Sequence, residues 1–162
     1  MVGGGIDRGG HALIPGSRDD VVQMIDVRDL AEWMVHVAEN ETGGVFNACG
    51  PAKPLPWGEM IDACVAASQH PAELHWVSAA ELRGENAPPL PIWAPRDGES
   101  GGVHSAVNKR ATAAGLTFRP IQLTVEDTLA WYLSLPEERQ AALKAGIPPA
   151  EEERVLRAVG AI

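Results

Sequence analysis

The chain has 162 residues and a formal net charge of -9, with 45% hydrophobic and 22% charged residues. This composition is typical of one globular domain with its own core, here expected over residues 1–162. The negative charge argues against a nucleic-acid partner, which needs a basic face, and no apolar run is long enough to span a bilayer. Two cysteines without Cys-x-x-Cys spacing exclude a disulfide scaffold and favour the cytoplasm.

The first third of the sequence predicts a strand–helix–strand unit. The glycine-rich opening at 1–10 is expected to be poorly ordered, and it leads into a short strand at 11–15, which a Pro-Gly pair ends. The apolar run at 21–25 is typical of a buried parallel strand, and Asp26 can cap the helix that follows. The inward residues of that helix, at helical spacing, are Val27, Leu30, Ala31, Met34 and Ala38. A further strand at 45–49 would complete a βαβ unit with a parallel sheet.

The middle of the sequence predicts a helix, a strand and a long loop. The spacing of apolar residues favours a helix from residue 57 to about residue 68, and a strand is expected at 73–77. Ser78 and Glu81 have the spacing of a capping box for a short helix. The Pro- and Gly-rich loop at 86–102 is long for a compact domain; loops of this length are more often functional than not, and disorder is the alternative.

The last third predicts mainly helices. A short strand at 103–107 is followed by Asn108 as the N-cap of a helix. Thr124, with Asp127, is expected to cap the next helix, and Pro136 ends it. The remaining tail is acidic, alanine-rich and helical.

Several residues could carry chemistry, and each has a structural alternative. Asp26 and Asp29 could form an acid/base pair, but helix capping explains both. Cys49 could be the nucleophile of an unrecognised hydrolase, although its place in a predicted strand favours an inert thiol. No metal site is predicted, because the five histidines lack the spacing of metal ligands. These histidines are His11, His36, His70, His75 and His104.

Five segments together carry a family pattern. They are 22–31 (VQMIDVRDLA), 44–50 (GVFNACG), 108–111 (NKRA), 115–120 (GLTFRP) and the pair at 131–132 (WY). In order and rough spacing they resemble the C-terminal half of the extended short-chain dehydrogenase/reductases, the NAD-dependent epimerase/dehydratase family, and most closely its bacterial reductase branch. The resemblance implies an α/β fold: a partial doubly wound, Rossmann-like parallel sheet, a small α/β substrate-binding lobe and a helical C-terminal tail.

The cofactor and catalytic motifs of that family do not occur in these 162 residues. The glycines of the opening segment do not follow a strand in a Gly-x-x-Gly-x-x-Gly loop, and the only tyrosine, Tyr132, is followed four residues later by Pro136 rather than by lysine. We therefore assign no catalytic and no cofactor-binding residue here. The resemblance implies NAD or NADP for the full-length enzyme, with the N-terminal cofactor-binding half absent from this chain.

The resemblance also directs attention to a substrate site. The family arginine that often holds a nucleotide-sugar phosphate falls on Val22, so a phosphate would need Arg18 or Arg96 instead. We select Trp93, Arg96 and His104 as candidate substrate-binding residues: Trp93 could stack on a ring, Arg96 could pair with an anionic group, and His104 could orient either. A surface arginine beside a tryptophan plug is the structural alternative.

The expected function is the substrate-binding portion of an NAD(P)-dependent epimerase/dehydratase or reductase, catalytically incomplete by itself. The alternative is a cofactor-independent module, binding or regulatory, that kept the ligand site and lost the chemistry. The expected partners are a small-molecule substrate and either the missing N-terminal half or a second copy of the chain.

Overall fold

A computed structural model describes residues 2–88, 90, 92–142 and 146–162. These residues form a mixed α/β structure, which confirms the expected α/β class. The elements, in chain order, are α1 (Val2–Asp7), β1 (His11–Pro15), β2 (Val21–Val22), α2 (Val27–Glu39), β3 (Leu55–Pro56), α3 (Trp57–Ala67), β4 (Glu73–Val77), α4 (Ala79–Gly84), a 3₁₀ turn (Gly98–Ser100), α5 (Lys109–Ala113), α6 (Ile121–Ser134), α7 (Glu137–Ala141) and α8 (Pro149–Ala158). No helix within this described part has the length and apolar character needed to cross a membrane.

The strands pair in two small sheets. β1 and β4 are parallel, in a register that places His11 opposite Glu73 and Pro15 opposite Val77. β2 and β3 are antiparallel and only two residues long. Both strands of the parallel pair were predicted, and the connection between them contains α2 and α3.

The larger hydrophobic core lies around α3. Trp57 and Ile61 are fully buried, in a cluster that also contains the parallel strands and Val155 of α8. The Trp57 indole N–H donates to the carbonyl of Pro15 at 2.9 Å, which ties α3 to the end of β1. Burial of each large apolar side chain contributes about 1.5–3 kcal/mol, so α3 is the main organiser of this half of the structure.

A second, smaller core joins α2 to α5. Trp33, Ala111 and Leu116 are its buried members. Trp33 meets Phe46 edge to face, with ring centroids 5.4 Å apart, and its indole N–H donates to the carbonyl of Ala114 at 2.9 Å. A buried tryptophan usually finds such a partner for its N–H. This core fixes the segment after α5 against α2.

The expected βαβ unit is wrong. Of the apolar run at 21–25 only Val21–Val22 is a strand, and it is antiparallel. The Met24 N–H donates to the carbonyl of Gly50 in a loop instead of extending a sheet. The segments 45–49 and 103–107 form no strand; the Asn47 side chain links them by donating to the Val107 carbonyl.

Helix α2 buries a different face from the one its apolar spacing predicts. Asp29 and Trp33 are buried, whereas Val27 and Met34 are 74% and 58% exposed. Trp33 is buried because it packs in the second core, and Asp29 is buried because it forms an ion pair with Arg119. These tertiary contacts outweigh the apolar periodicity of the helix. An apolar stripe is therefore left on the surface of α2.

The predicted ends of the C-terminal helices also need correction. α6 begins at Ile121, directly after Pro120, so Thr124 and Asp127 lie within the helix and cannot cap it. Asn108 occupies the N-cap position of α5 without a side-chain cap bond, because its amide donates to the carbonyls of Cys49 and Pro51.

Local signals were more successful elsewhere in the chain. α3 begins at the predicted residue, and the capping box of α4 forms between Ser78 and Glu81. The glycine-rich opening, expected to be poorly ordered, forms a helix over Val2–Asp7, with Ile6 fully buried. Contact with the larger core explains this helix, because glycine by itself disfavours one.

Candidate functional site

A cleft of about 810 Å³ lies beside the N-terminal end of α2. The segments 24–29, 51–55 and 116–124 form its walls, with Glu59 and Thr112 at its edges. Ten of its nineteen lining residues are apolar, among them Leu55 and Phe118, and the other nine are polar or charged. A concave surface of this volume that combines apolar side chains with polar groups is typical of a small-molecule site.

Asp26 stands at the start of α2, on the wall of the cleft. It caps the helix by accepting the Arg28 backbone N–H at 2.8 Å, as predicted. The Arg28 guanidinium donates to both carboxylate oxygens, and the Thr124 hydroxyl donates to Oδ2 at 2.8 Å. The Asp26 side chain is only 4% exposed. Hydrogen bonds from Arg28 and Thr124 hold the pKa of this carboxyl well below its usual range, so Asp26 is charged at neutral pH.

Asp29, one turn further, joins α2 to the segment before α6. Its carboxylate accepts the Arg119 backbone N–H at 3.0 Å and the Nε–H of the same residue. Arg119 also donates to Glu32 at 3.0 Å. Hydrogen bonds from the Arg119 guanidinium, first to Asp29 and then to Glu32, raise its pKa above the usual arginine value. Both oxygens of Asp29 are therefore occupied by one arginine.

This arrangement bears on the acid/base alternative. A general acid or base works best with a pKa near the working pH, and the pKa of Asp26 is displaced away from that range. Asp29 is buried and forms an ion pair with Arg119. The two carboxylates therefore stabilise the cleft wall, which favours a structural role over an acid/base one.

The polar groups that remain open to a ligand lie at the rim. Lys53, Glu59 and Gln122 line the cleft and are exposed. Among the described residues, Lys53 has no carboxylate within 4 Å. An apolar ligand body could pack on Phe118 while its polar groups contact the rim.

The three residues predicted to bind substrate lie outside this cleft, where each of them contacts the segment 19–23. The indole N–H of Trp93, a buried side chain, donates to Asp20 Oδ2 at 2.7 Å. Arg96 is exposed and donates to the Asp19 carbonyl at 3.4 Å. His104 Nδ1 accepts the Gln23 backbone N–H at 3.1 Å. All three therefore contact one short segment, and their role in substrate binding stays a prediction.

The proposed phosphate substitutes and the thiol alternative can also be located. Arg18 forms an ion pair with Asp62, and Val22 is fully buried. Cys49 is half-buried, with Sγ 3.9 Å from the Ala106 carbonyl. Burial raises the pKa of the second thiol, Cys64, to about 11, which makes it a weak nucleophile.

Sequence reasoning missed Arg119, Thr124 and Lys53 as residues of the site. Arg119 lay within the GLTFRP segment of the family pattern, but its partner Asp29 is 90 residues away. Thr124 was assigned to a cap because Thr and Asp at i and i+3 are common there. Nothing in the spacing of Lys53 marks it out.

The chain was compared with protein-family models, with curated proteins and with solved structures. None of the three comparisons gives a match.

Proposed function

We propose that this chain is the substrate-binding portion of an NAD(P)-dependent epimerase/dehydratase or reductase, and that the cleft beside α2 holds the substrate. One observation supports this proposal most directly. The segments 24–29 and 116–120, which both belong to the family pattern, form two walls of the same cleft. They are joined there by the ion pair of Asp29 with Arg119. In the whole enzyme, β1 and β4 would belong to a partial doubly wound sheet.

The cleft limits the kind of substrate. Its volume of about 810 Å³ fits one small organic molecule. The apolar walls favour an aliphatic or aromatic body, and Lys53 at the rim favours a carbonyl, hydroxyl or carboxylate oxygen within its reach. The 162 residues contain neither the glycine loop nor the Tyr-x-x-x-Lys pair, so the contribution of this chain is to bind and orient. A nicotinamide cofactor would supply hydride transfer from outside these residues.

The exposed apolar stripe on α2 favours a protein partner that covers it. Val27, Met34 and Val35 are each more than half exposed, and they recur at helical spacing. Apolar side chains exposed together on one helix face often mark an interface. When the chain is made alone, we expect a second copy to cover the stripe. Sedimentation should then show a dimer that Met34→Lys dissociates, and a monodisperse wild-type monomer would contradict this expectation.

Ligand binding can be tested with a matched pair of variants. A panel of aromatic and aliphatic aldehydes, ketones and 2-hydroxy acids is screened by thermal shift, and hits are titrated by calorimetry. Ala52 and Ala66 are both exposed, but only Ala52 lines the cleft. Ala52→Trp should abolish binding by filling the cleft, and Ala66→Trp should not. A ligand at 100 times its dissociation constant adds about 2.7 kcal/mol of stability.

The chemistry of the ligand also distinguishes the two proposed functions, a substrate-binding portion of a reductase and a cofactor-independent binding module. A ligand that is a carbonyl compound or its alcohol supports a substrate site for hydride transfer. A ligand with no oxidisable or reducible group would favour the cofactor-independent module. If Ala52→Trp binds every hit as wild type does, the cleft is not the ligand site.

A further inference from the structure

The parallel sheet carries a second polar cluster, and none of its residues lines the cleft. His11 begins β1, and Glu73 and His75 lie two residues apart on β4. Residues i and i+2 of a strand point to the same face, and the register places His11 opposite Glu73. The three side chains therefore meet on one face of the sheet, although they are separated by up to 64 positions in the chain.

The distances within this cluster are those of metal ligands. His11 Nδ1 is 2.9 Å from His75 Nε2 and 3.5 Å from Glu73 Oε2, and the three ligand atoms all lie within 4.8 Å of one another. Two nitrogens, each about 2.0–2.1 Å from one Zn²⁺ ion, are about 2.9 Å apart at a right angle and about 3.4 Å apart at the tetrahedral angle. The nitrogen–nitrogen separation of 2.9 Å corresponds to the right-angle value, and the nitrogen–oxygen separation of 3.5 Å is close to the tetrahedral one.

We propose that His11, Glu73 and His75 bind a divalent transition-metal ion, Zn²⁺ in the first instance. Two imidazoles and one carboxylate form a ligand set that suits Zn²⁺. The side chains of His11 and Glu73 are 46% and 70% exposed, so the metal keeps coordination positions open to water or to a small ligand. Without metal, one of the two rings donates an N–H to the other. On metal binding that ring carries its proton on its other nitrogen, so that both facing nitrogens offer lone pairs to the ion.

The backbone around the cluster is already fixed. The Glu73 N–H donates to the Gly10 carbonyl at 2.7 Å, and the Leu13 N–H donates to Glu152 of α8 at 2.9 Å. The ligands are thus carried by two paired strands, which position side chains more accurately than loops do.

The test is a titration of the full chain with zinc chloride, followed by calorimetry and thermal shift. We expect one ion per chain and a raised melting temperature. His11→Ala, Glu73→Gln and His75→Phe should each weaken Zn²⁺ binding by at least about tenfold, since even losses of groups that only orient a ligand cost that much. His70→Ala, at another exposed histidine, and Cys49→Ser should bind as wild type does.

The controls separate this site from other zinc-binding groups. Because Glu73 is 70% exposed, Glu73→Gln should fold normally by circular dichroism even if His75→Phe does not. The Co²⁺ complex should show an absorption spectrum without a thiolate-to-metal band. No binding by wild type, binding as tight as wild type by all three cluster variants, or a thiolate band would each overturn the proposal.

Discussion

Two polar clusters of this molecule contain similar groups in opposite circumstances. At the cleft, the carboxylates of Asp26 and Asp29 are buried and bonded to arginines and to Thr124. On the sheet, His11 and Glu73 are largely exposed, and His11 contacts the other members of its own cluster. Burial explains the difference, because a buried charge is costly unless it is paired, whereas an exposed group can exchange its partners with solvent.

The comparison indicates different roles for the two clusters. The carboxylates at the cleft are bonded to neighbouring protein groups, so they stabilise the cleft wall. Ligand contacts there are expected from the apolar side chains and from the polar residues of the rim. The groups on the sheet remain available, so they can receive an ion without breaking the fold.

The largest effect is expected for Asp26→Ala. The substitution removes the N-cap of α2 and several charge-assisted bonds from Arg28 and Thr124, and it should lower the free energy of unfolding by about 3 kcal/mol. Urea denaturation measures this value. A loss below about 1 kcal/mol would show that the network is not structural.

A smaller loss is expected when the wall behind the cleft is overfilled. A Cβ at Gly50 would lie 2.6 Å from Phe118 Cε1 and 2.7 Å from the Met24 carbonyl oxygen. Gly50→Ala should therefore cost about 2 kcal/mol. Gly84→Ala is the matched control, since no atom lies within 4 Å of its Cβ, and it should be neutral or slightly stabilising. Equal stability of the two variants in urea would contradict this account of the wall.

Acidification should weaken the cleft network selectively. Because the pKa of Asp26 is lowered in the folded state, its contribution is complete above the pKa of about 3.9 in the unfolded chain and is lost as pH falls toward the folded value. The difference in unfolding free energy between wild type and Asp26→Asn should therefore shrink between pH 6 and pH 2. Denaturation curves at several pH values test this, and a constant difference would refute the assignment.

The smallest effect is expected on the sheet. Without metal, Glu73→Ala should change the free energy of unfolding by less than about 0.5 kcal/mol, because the side chain is exposed and its contact with His11 is solvated. The same urea assay with a chelator present provides the measurement. A loss comparable with that of Asp26→Ala would mean that this cluster, too, is a structural element.

The success of the sequence-based predictions depended on how local each signal was. The cap at Asp26, the capping box at Ser78 and the strand at Glu73–Val77 depend on neighbouring residues, and all three are observed. The inward face of α2 was wrong because a tryptophan and an ion pair at Asp29 outweighed the apolar spacing. The cleft depended on the contact of Asp29 with Arg119, which no local pattern encodes.

The sequence by itself determined where α2, α3, α4 and α5 begin, and that the segments 11–15 and 73–77 are strands. These properties follow from capping, periodicity and residue order, which act over a few positions. Only the tertiary structure decided that β1 pairs with β4, that Arg119 joins Asp29 at the cleft, and that His11 meets Glu73 and His75. Each of these contacts joins residues far apart in the chain, and the packing of the whole chain selects them.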